Sequence, residues 1–287
     1  MRDHLFMSYR NEKGLMWTGL LGILIGLLCI IFYLAFGNVI PPEGKWTKAI
    51  TFDLAISVFA ITTALLLPFV QLKPKQRKWF VYPLIASFLI GYLIETIQNA
   101  RGFDPRFTKA GMPFDQMISL SLGIDSLIMI ICLVYLMVLI FKQKNNSNKL
   151  MLLSLRYGFM SIMAALVSGI WMIALQGRIT SLHVDVMPLH FVGFHGYQAV
   201  PIIGWLLSFA NLPLPRAKRR IHIGGIAWLA VWFFLLLQFT FGYPLEQPTE
   251  WMLLAGISLA IWLWVTFYSL SDYVKNRRLN QGEAHVD

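Results

Sequence analysis

Six histidines occur in the 287-residue chain, and three of them fall within HVDVMPLHFVGFHGYQ, from His183 to Gln198. Imidazole nitrogens ligate transition metals and haem iron, and they move protons near neutral pH. Asp185 suits a helix N-cap and Pro188 a first helical turn, which leaves His183 in the preceding loop. A repeat of about 3.6 residues per turn then puts His195 roughly 140° round from His190, with Gln198 roughly 80° round, between the two. One side of the helix therefore carries His190, His195 and Gln198. Gly193 and Gly196 flank His195 and leave room for a neighbouring helix or a flat cofactor. Histidines that grip one ion stand three or four apart, as in HExxH, so the five-residue step fits a single metal poorly. It suits two centres, or one ligand and one hydrogen-bonding group.

Carboxylates supply the second half of any such chemistry. Asp53, Glu95 and Asp125 all fall inside apolar runs, where an ionisable group is costly and faces a packed interior or a cavity. Ser57 lies one turn from Asp53, Gln98 one turn from Glu95, and Ser121 one turn from Asp125. With His190 or His195, the three acids form a mixed nitrogen and oxygen set suited to zinc, iron or manganese. Haem is the alternative cofactor, with a histidine as axial ligand and Arg101 and Arg106 on its propionates. His183, a methionine or an open position would complete the iron, since His4, His222 and His285 fall on the opposite side of the membrane. Glu95 and Asp125 are also candidate proton acceptors. A plainer reading stands beside each of these. Asp53 suits the positive end of a helix dipole, Glu95 can pair with Arg101 or Arg106, and the whole set can be a polar cluster that fixes helix packing.

The elements that must position these residues are membrane spans. The chain is 57% hydrophobic and 13% charged, against about 25% charged in an ordinary soluble domain. Apolar runs near the ~20 residues needed to cross a hydrocarbon core recur along its length. Eight spans are expected, at about 17–40, 49–72, 79–99, 116–141, 150–176, 187–210, 222–243 and 250–273, forming one all-α transmembrane domain over residues 1–287. Pro- and charge-rich segments such as PPEGK, KPKQRK, KQKNNSNK and PLPRAKRR separate them. The first run is too long for a signal peptide and lacks a small-residue cleavage site. Cys29 and Cys132 lie deep in apolar runs as buried small residues. Trp17, Trp46, Trp79 and Trp251 near span ends match an interfacial belt.

Charge orients the bundle. Seventeen lysines and arginines fall on the side of the N-terminus and tail, including Arg2, Arg10 and Lys13. Six fall on the other: Lys45, Lys48, Arg101, Arg106, Lys109 and Arg178. The remaining cation, Arg156, lies within a span and reaches toward the basic side. The positive-inside rule then makes both termini cytoplasmic, and an even number of spans agrees. Asp53, Glu95, Asp125, His190 and His195 all fall toward the outer side. The net charge of +10 implies no nucleic acid, because the basic residues sit where topology and the bilayer want them. Arg216, Lys218, Arg219 and Arg220 can meet anionic lipid headgroups. Gly22 with Gly26, and Ala165 with Gly169, offer close helix contacts within the chain or in a homo-oligomer. No Walker, CxxC, CxxCH or GxSxG motif is present. The expectation is a bacterial plasma-membrane protein with an outward polar pocket built from spans two, three, four and six. That pocket serves a metal or haem in redox or metal-assisted chemistry, or it serves a proton-coupled transporter or sensor of a small solute.

Overall fold

Long aliphatic runs can bury their backbone polar groups in hydrocarbon only by bonding them internally, and a helix does so within one segment. The computed structural model describes residues 12–144 and 146–283, with side chains as far as Arg278. Arg2, His4, Arg10 and His285 lie outside the described residues. Among the described residues eight α-helices follow in order: α1 (Lys13–Phe36), α2 (Trp46–Leu66), α3 (Pro74–Ala100), α4 (Pro113–Lys142), α5 (Lys149–Ala174), α6 (Met187–Ser208), α7 (Leu214–Thr240) and α8 (Glu250–Glu283). A short antiparallel hairpin, β1 (Val39–Ile40) and β2 (Gly44–Lys45), joins α1 to α2. Seven of the helices are long and apolar enough to cross a membrane. The eighth, α6, has 22 residues, but its histidines, Gln198, two prolines and glycines dilute its apolar character. The chain is an all-helical, multi-pass membrane protein.

Several boundaries differ from those expected. α1 stops at Phe36 rather than near residue 40, because Gly37 takes φ +83° and the chain turns into the hairpin that starts at Val39. The Asn38 side chain accepts from the Thr47 amide at 3.0 Å, satisfying one of the free amides at the start of α2. α7 begins at Leu214, so Arg216, Lys218, Arg219 and Arg220 occupy helical turns rather than a loop. α8 likewise continues through Lys275, Arg277 and Arg278. Lysine and arginine are good helix formers, so a helix runs on past the end of its apolar stretch.

The chain forms two compact units, Met1–Leu139 and Ile140–Asp287. In the first, α1 lies along α2, and α3 packs on both. Gly19, Gly22 and Gly26 are buried in that contact, and a Cβ on Gly26 would come within 2.9 Å of Leu54. The Gly22–Gly26 pair thus serves packing within the chain. Trp46 is 8% exposed and stacks on Phe32, so it belongs to the core and not to an interfacial belt. One end of this unit is capped by chain outside the helices. The Glu43 and Gly44 amides donate to the Gly102 carbonyl at 2.7 and 2.9 Å. Gly102 has φ +89° with the Pro41 carbonyl pressed against it, so no side chain fits there.

In the second unit α5 lies along α6, and α7 along α8. The α5–α6 contact is built on small residues, as expected where lipid leaves no hydrophobic drive between helices. A Cβ on Gly193 would meet the Ala165 Cβ at 2.6 Å, and Ser161 donates to the Gly193 carbonyl at 2.7 Å. Val231, Leu235 and Phe239 of α7 pack with Leu189 of α6 and Ala255 of α8. Pro201 sits inside α6 without ending it.

Candidate functional site

The capped end of the first unit is where polar side chains penetrate the bundle. Glu43, at the hairpin turn, accepts from Thr108 Oγ1 at 2.7 Å, the Lys109 amide at 2.8 Å and the Ala110 amide at 3.1 Å. Asp104 accepts from the Arg106 and Phe107 amides at 2.8 and 3.1 Å and is paired with Lys48. Desolvation opposes the charged form of both acids. The donors outweigh it and hold both carboxyls below their usual range.

Beneath this layer stands Glu95 of α3, with no solvent exposure. Arg106 reaches down from the loop to its Oε2 at 3.0 Å while lying over the Phe52 ring, 5.3 Å from the centroid. Asn99, one turn along α3, donates to the Glu95 carbonyl at 2.9 Å and to Oε1 at 3.4 Å. Its own Oδ1 accepts from the Lys45 amide at 3.1 Å, so one amide ties the hairpin to the acid. Arg101 takes a different partner. It binds Asp115, at the start of α4, at 2.8 Å and Gln98 of α3 at 2.6 Å.

Deeper again is Asp53, about 10 Å inside α2 by the ~1.5 Å rise per residue. It too has no exposure. Thr96 donates to Oδ2 at 3.0 Å, and the Cys29 thiol lies 4.0 Å from the same oxygen. Oδ1 has no hydrogen-bond partner. Ser57 donates to the Asp53 carbonyl at 2.6 Å and lies 3.2 Å from the Tyr92 hydroxyl. Gly22 of α1 makes room for that pair, since a Cβ there would collide with both. Asp125 lies about 18 Å along α4 and is 8% exposed. Its neighbour is Ser87 of α3, and its Oδ1 also has no partner. Ser121 points away, exposed, and bonds to its own helix at Met117.

The histidines belong to the second unit. His190 Nδ1 lies 2.9 Å from the Ala165 carbonyl and 3.3 Å from Ser168 Oγ, on α5. A carbonyl can only accept, so Nδ1 carries the hydrogen in this contact. His195 lies against Phe191, with centroids 4.0 Å apart, and Gln198 is within hydrogen-bond reach of its ring. The space beside Gly193 and Gly196 is filled by Ala165, Ser161 and Trp228 of the neighbouring helices. His183 sits outside the helix with φ +61°, as the sequence suggests; Asp185 accepts from the Met187 amide at 2.9 Å, but it stands one residue before the N-cap, which is Val186, with no capping side chain. At other points His222 Nδ1 meets the Tyr157 hydroxyl at 2.9 Å, and Arg156 donates to the Gln143 carbonyl at 2.6 Å. Arg216 and Arg219 are exposed on α7, whereas Arg220 is paired with Asp272 at 2.5 Å.

Asp53, Glu95 and Asp125 thus lie in one unit, and His190, His195 and Gln198 in the other. Among the described residues no group of three or more His, Cys, Asp or Glu side chains is arranged to hold a metal ion. Thr96, Tyr92 and Asn99 were not anticipated. Their signal is spacing, because each stands three or four residues from Glu95 or from one another on α3. No family model, no curated protein and no solved structure matches the chain.

Proposed function

We propose that the protein is a plasma-membrane transporter of a small solute, driven by a small cation that binds the buried acids of its first unit. The observation that carries this reading is the Asp53 carboxyl, fully buried in a spanning helix with one oxygen lacking any partner. An acid inside the membrane costs roughly 2.5–3.5 kcal/mol on insertion scales, and such residues mark ion and proton paths. Helix packing needs no carboxyl with an orphan oxygen, since a serine or asparagine would hold these helices more cheaply. The imbalance of lysine and arginine supports placing the capped end, and with it the nearer approach to the acids, on the outer face.

The test is flux in reconstituted vesicles carrying an internal pH dye, across a panel of small solutes with and without sodium. Solute-dependent cation movement that Asp53→Asn abolishes supports the reading. Solute uptake that is indifferent to both cations and to Asp53→Asn would rule it out.

A metal or haem at His190 is the second reading. Its support is the Nδ1 contact to the Ala165 carbonyl, a backbone partner of the kind that orients metal-bound histidines. An absorption spectrum with elemental analysis on a gently solubilised preparation decides it. A Soret band or stoichiometric zinc, iron or manganese, lost in His190→Ala, favours it over transport; an empty protein counts against it.

A further inference from the structure

We infer that the coupling cation is a proton, carried on Oδ1 of Asp53. The inference rests on the transport reading above and begins with a balance of charge. The groups facing Asp53 are the Cys29 thiol from α1, and Tyr92 and Glu95 from α3, with Thr96 and Ser57 as neutral hydroxyls. Glu95 in turn feels Arg106, Asp104 and Lys48. Lys48 and Asp104 neutralise one another, and Arg106 neutralises Glu95. Asp53 is left with a carboxyl and no cation. Two buried acids close enough to feel each other's charge therefore share one arginine, and a single proton completes the set.

Local geometry decides which oxygen holds it. Arg106 sits on Glu95, so the proton belongs to Asp53. Thr96 already donates to Oδ2, which leaves Oδ1 as the atom without a hydrogen. Sodium is the competing ion, and coordination chemistry disfavours it. Sodium sites in transporters draw on carbonyls freed where a spanning helix unwinds. Here α2 and α3 run unbroken past Asp53, Ser57, Tyr92 and Thr96, so their carbonyls are engaged within the helices. The Asp53 carbonyl also accepts from Ser57. Loading is then the simple exchange of a proton from external hydronium to the Asp53 carboxylate, leaving water, and release is its reverse.

Arg106 sets how many protons the pair takes. It is 37% exposed and enters from the loop, so it can leave Glu95 without disturbing the helices. With Arg106 withdrawn, Glu95 needs a proton of its own.

Infrared difference spectroscopy during a pH titration, on protein in lipid nanodiscs, reads buried protonated carboxyls directly. The wild-type protein should show a protonated-carboxyl band that bleaches as pH rises, and Asp53→Asn should lose it. Any contribution from Asp125 is assigned by Asp125→Asn. Replacing choline chloride by sodium chloride at fixed pH should leave the Asp53 band unchanged. Arg106→Gln should add a second band, removed again in the Arg106→Gln, Glu95→Gln double variant. Should Asp53→Asn fail to fold, Thr96→Val keeps the carboxyl, removes the Oδ2 donor and should shift the same band. A spectrum indifferent to both Asp53→Asn and Thr96→Val overturns the inference, as does a band abolished by sodium. If the band behaves as stated while no solute drives flux, the transport reading fails and the proton site stands. Flux that depends on sodium alone sinks the proton and keeps the transporter.

Discussion

Glu95 has no exposure and its arginine partner is 37% exposed, so the two ends of this ion pair are unequally served by water. Removing the exposed partner strands the buried one, which is the costly direction of the change. Arg106→Gln should lower stability by on the order of 1–3 kcal/mol, less than a wholly buried pair because water reaches the arginine side. The Arg106→Gln, Glu95→Gln double variant should recover part of that loss, as thermal unfolding in detergent would show. Equal melting of wild type and Arg106→Gln would mean that the pair contributes nothing. The loop acids above it respond to pH in a defined direction. Glu43 and Asp104 are held below the usual carboxylate range, so their contribution is complete at neutral pH and is lost as pH falls through their depressed folded values. Amide protection at Phe107, Lys109 and Ala110, corrected for intrinsic exchange, should therefore fall in that acid window and stay constant above it. At this scale the sequence was informative about charge and only partly so about neutral partners, of which Ser57 was legible from its spacing to Asp53. A carboxylate in an apolar run announces itself, and the choice for Glu95 lay between two arginines. Thr96, Tyr92 and Asn99 look like ordinary helix residues until α2 and the hairpin are brought against them. His190 shows the same limit, because its partner is a backbone carbonyl on α5 that no residue pattern records.

Helices pair in this protein through residues without bulk. Gly193 admits α5 so closely that one methyl would sit 2.6 Å from Ala165. Gly193→Ala should cost about 1–3 kcal/mol by overpacking. Gly123, with nothing near its face, is the control. Gly123→Ala should be neutral or stabilising by up to about 1 kcal/mol, since alanine is the better helix former. If the two variants melt alike, the α5–α6 contact is looser than described. Helix centres were legible from hydropathy, whereas ends depended on other forces. α7 starts before the apolar run because Arg216, Lys218, Arg219 and Arg220 favour helix even in water, and α1 stops early because Gly37 and Asn38 impose a turn.

For the whole molecule the number of helices that cross the bilayer fixes the side on which each loop lies. α6 is the test, since it is the one helix of the eight that composition leaves out of the spanning set. Arg178 precedes it and Arg219 follows it. Both native cysteines are buried, so single engineered cysteines can be read against a low background. In intact cells, Lys109→Cys and Arg178→Cys should react with an impermeant maleimide, while Arg219→Cys should not. Labelling of all three would remove α6 from the membrane and place the termini on opposite sides.

The Asn99 side chain has a practical consequence. One amide group grips the Lys45 backbone on one side and the Glu95 carboxylate on the other. The hairpin is thus mechanically joined to a residue with no solvent exposure. A recombinant antibody fragment selected against residues 41–45 and 108–110 would touch only the surface, yet it would favour whichever hairpin position the buried acid permits. Such a fragment could be used to trap one state of the site, or as a fluorescent reporter of it, without any label inside the membrane.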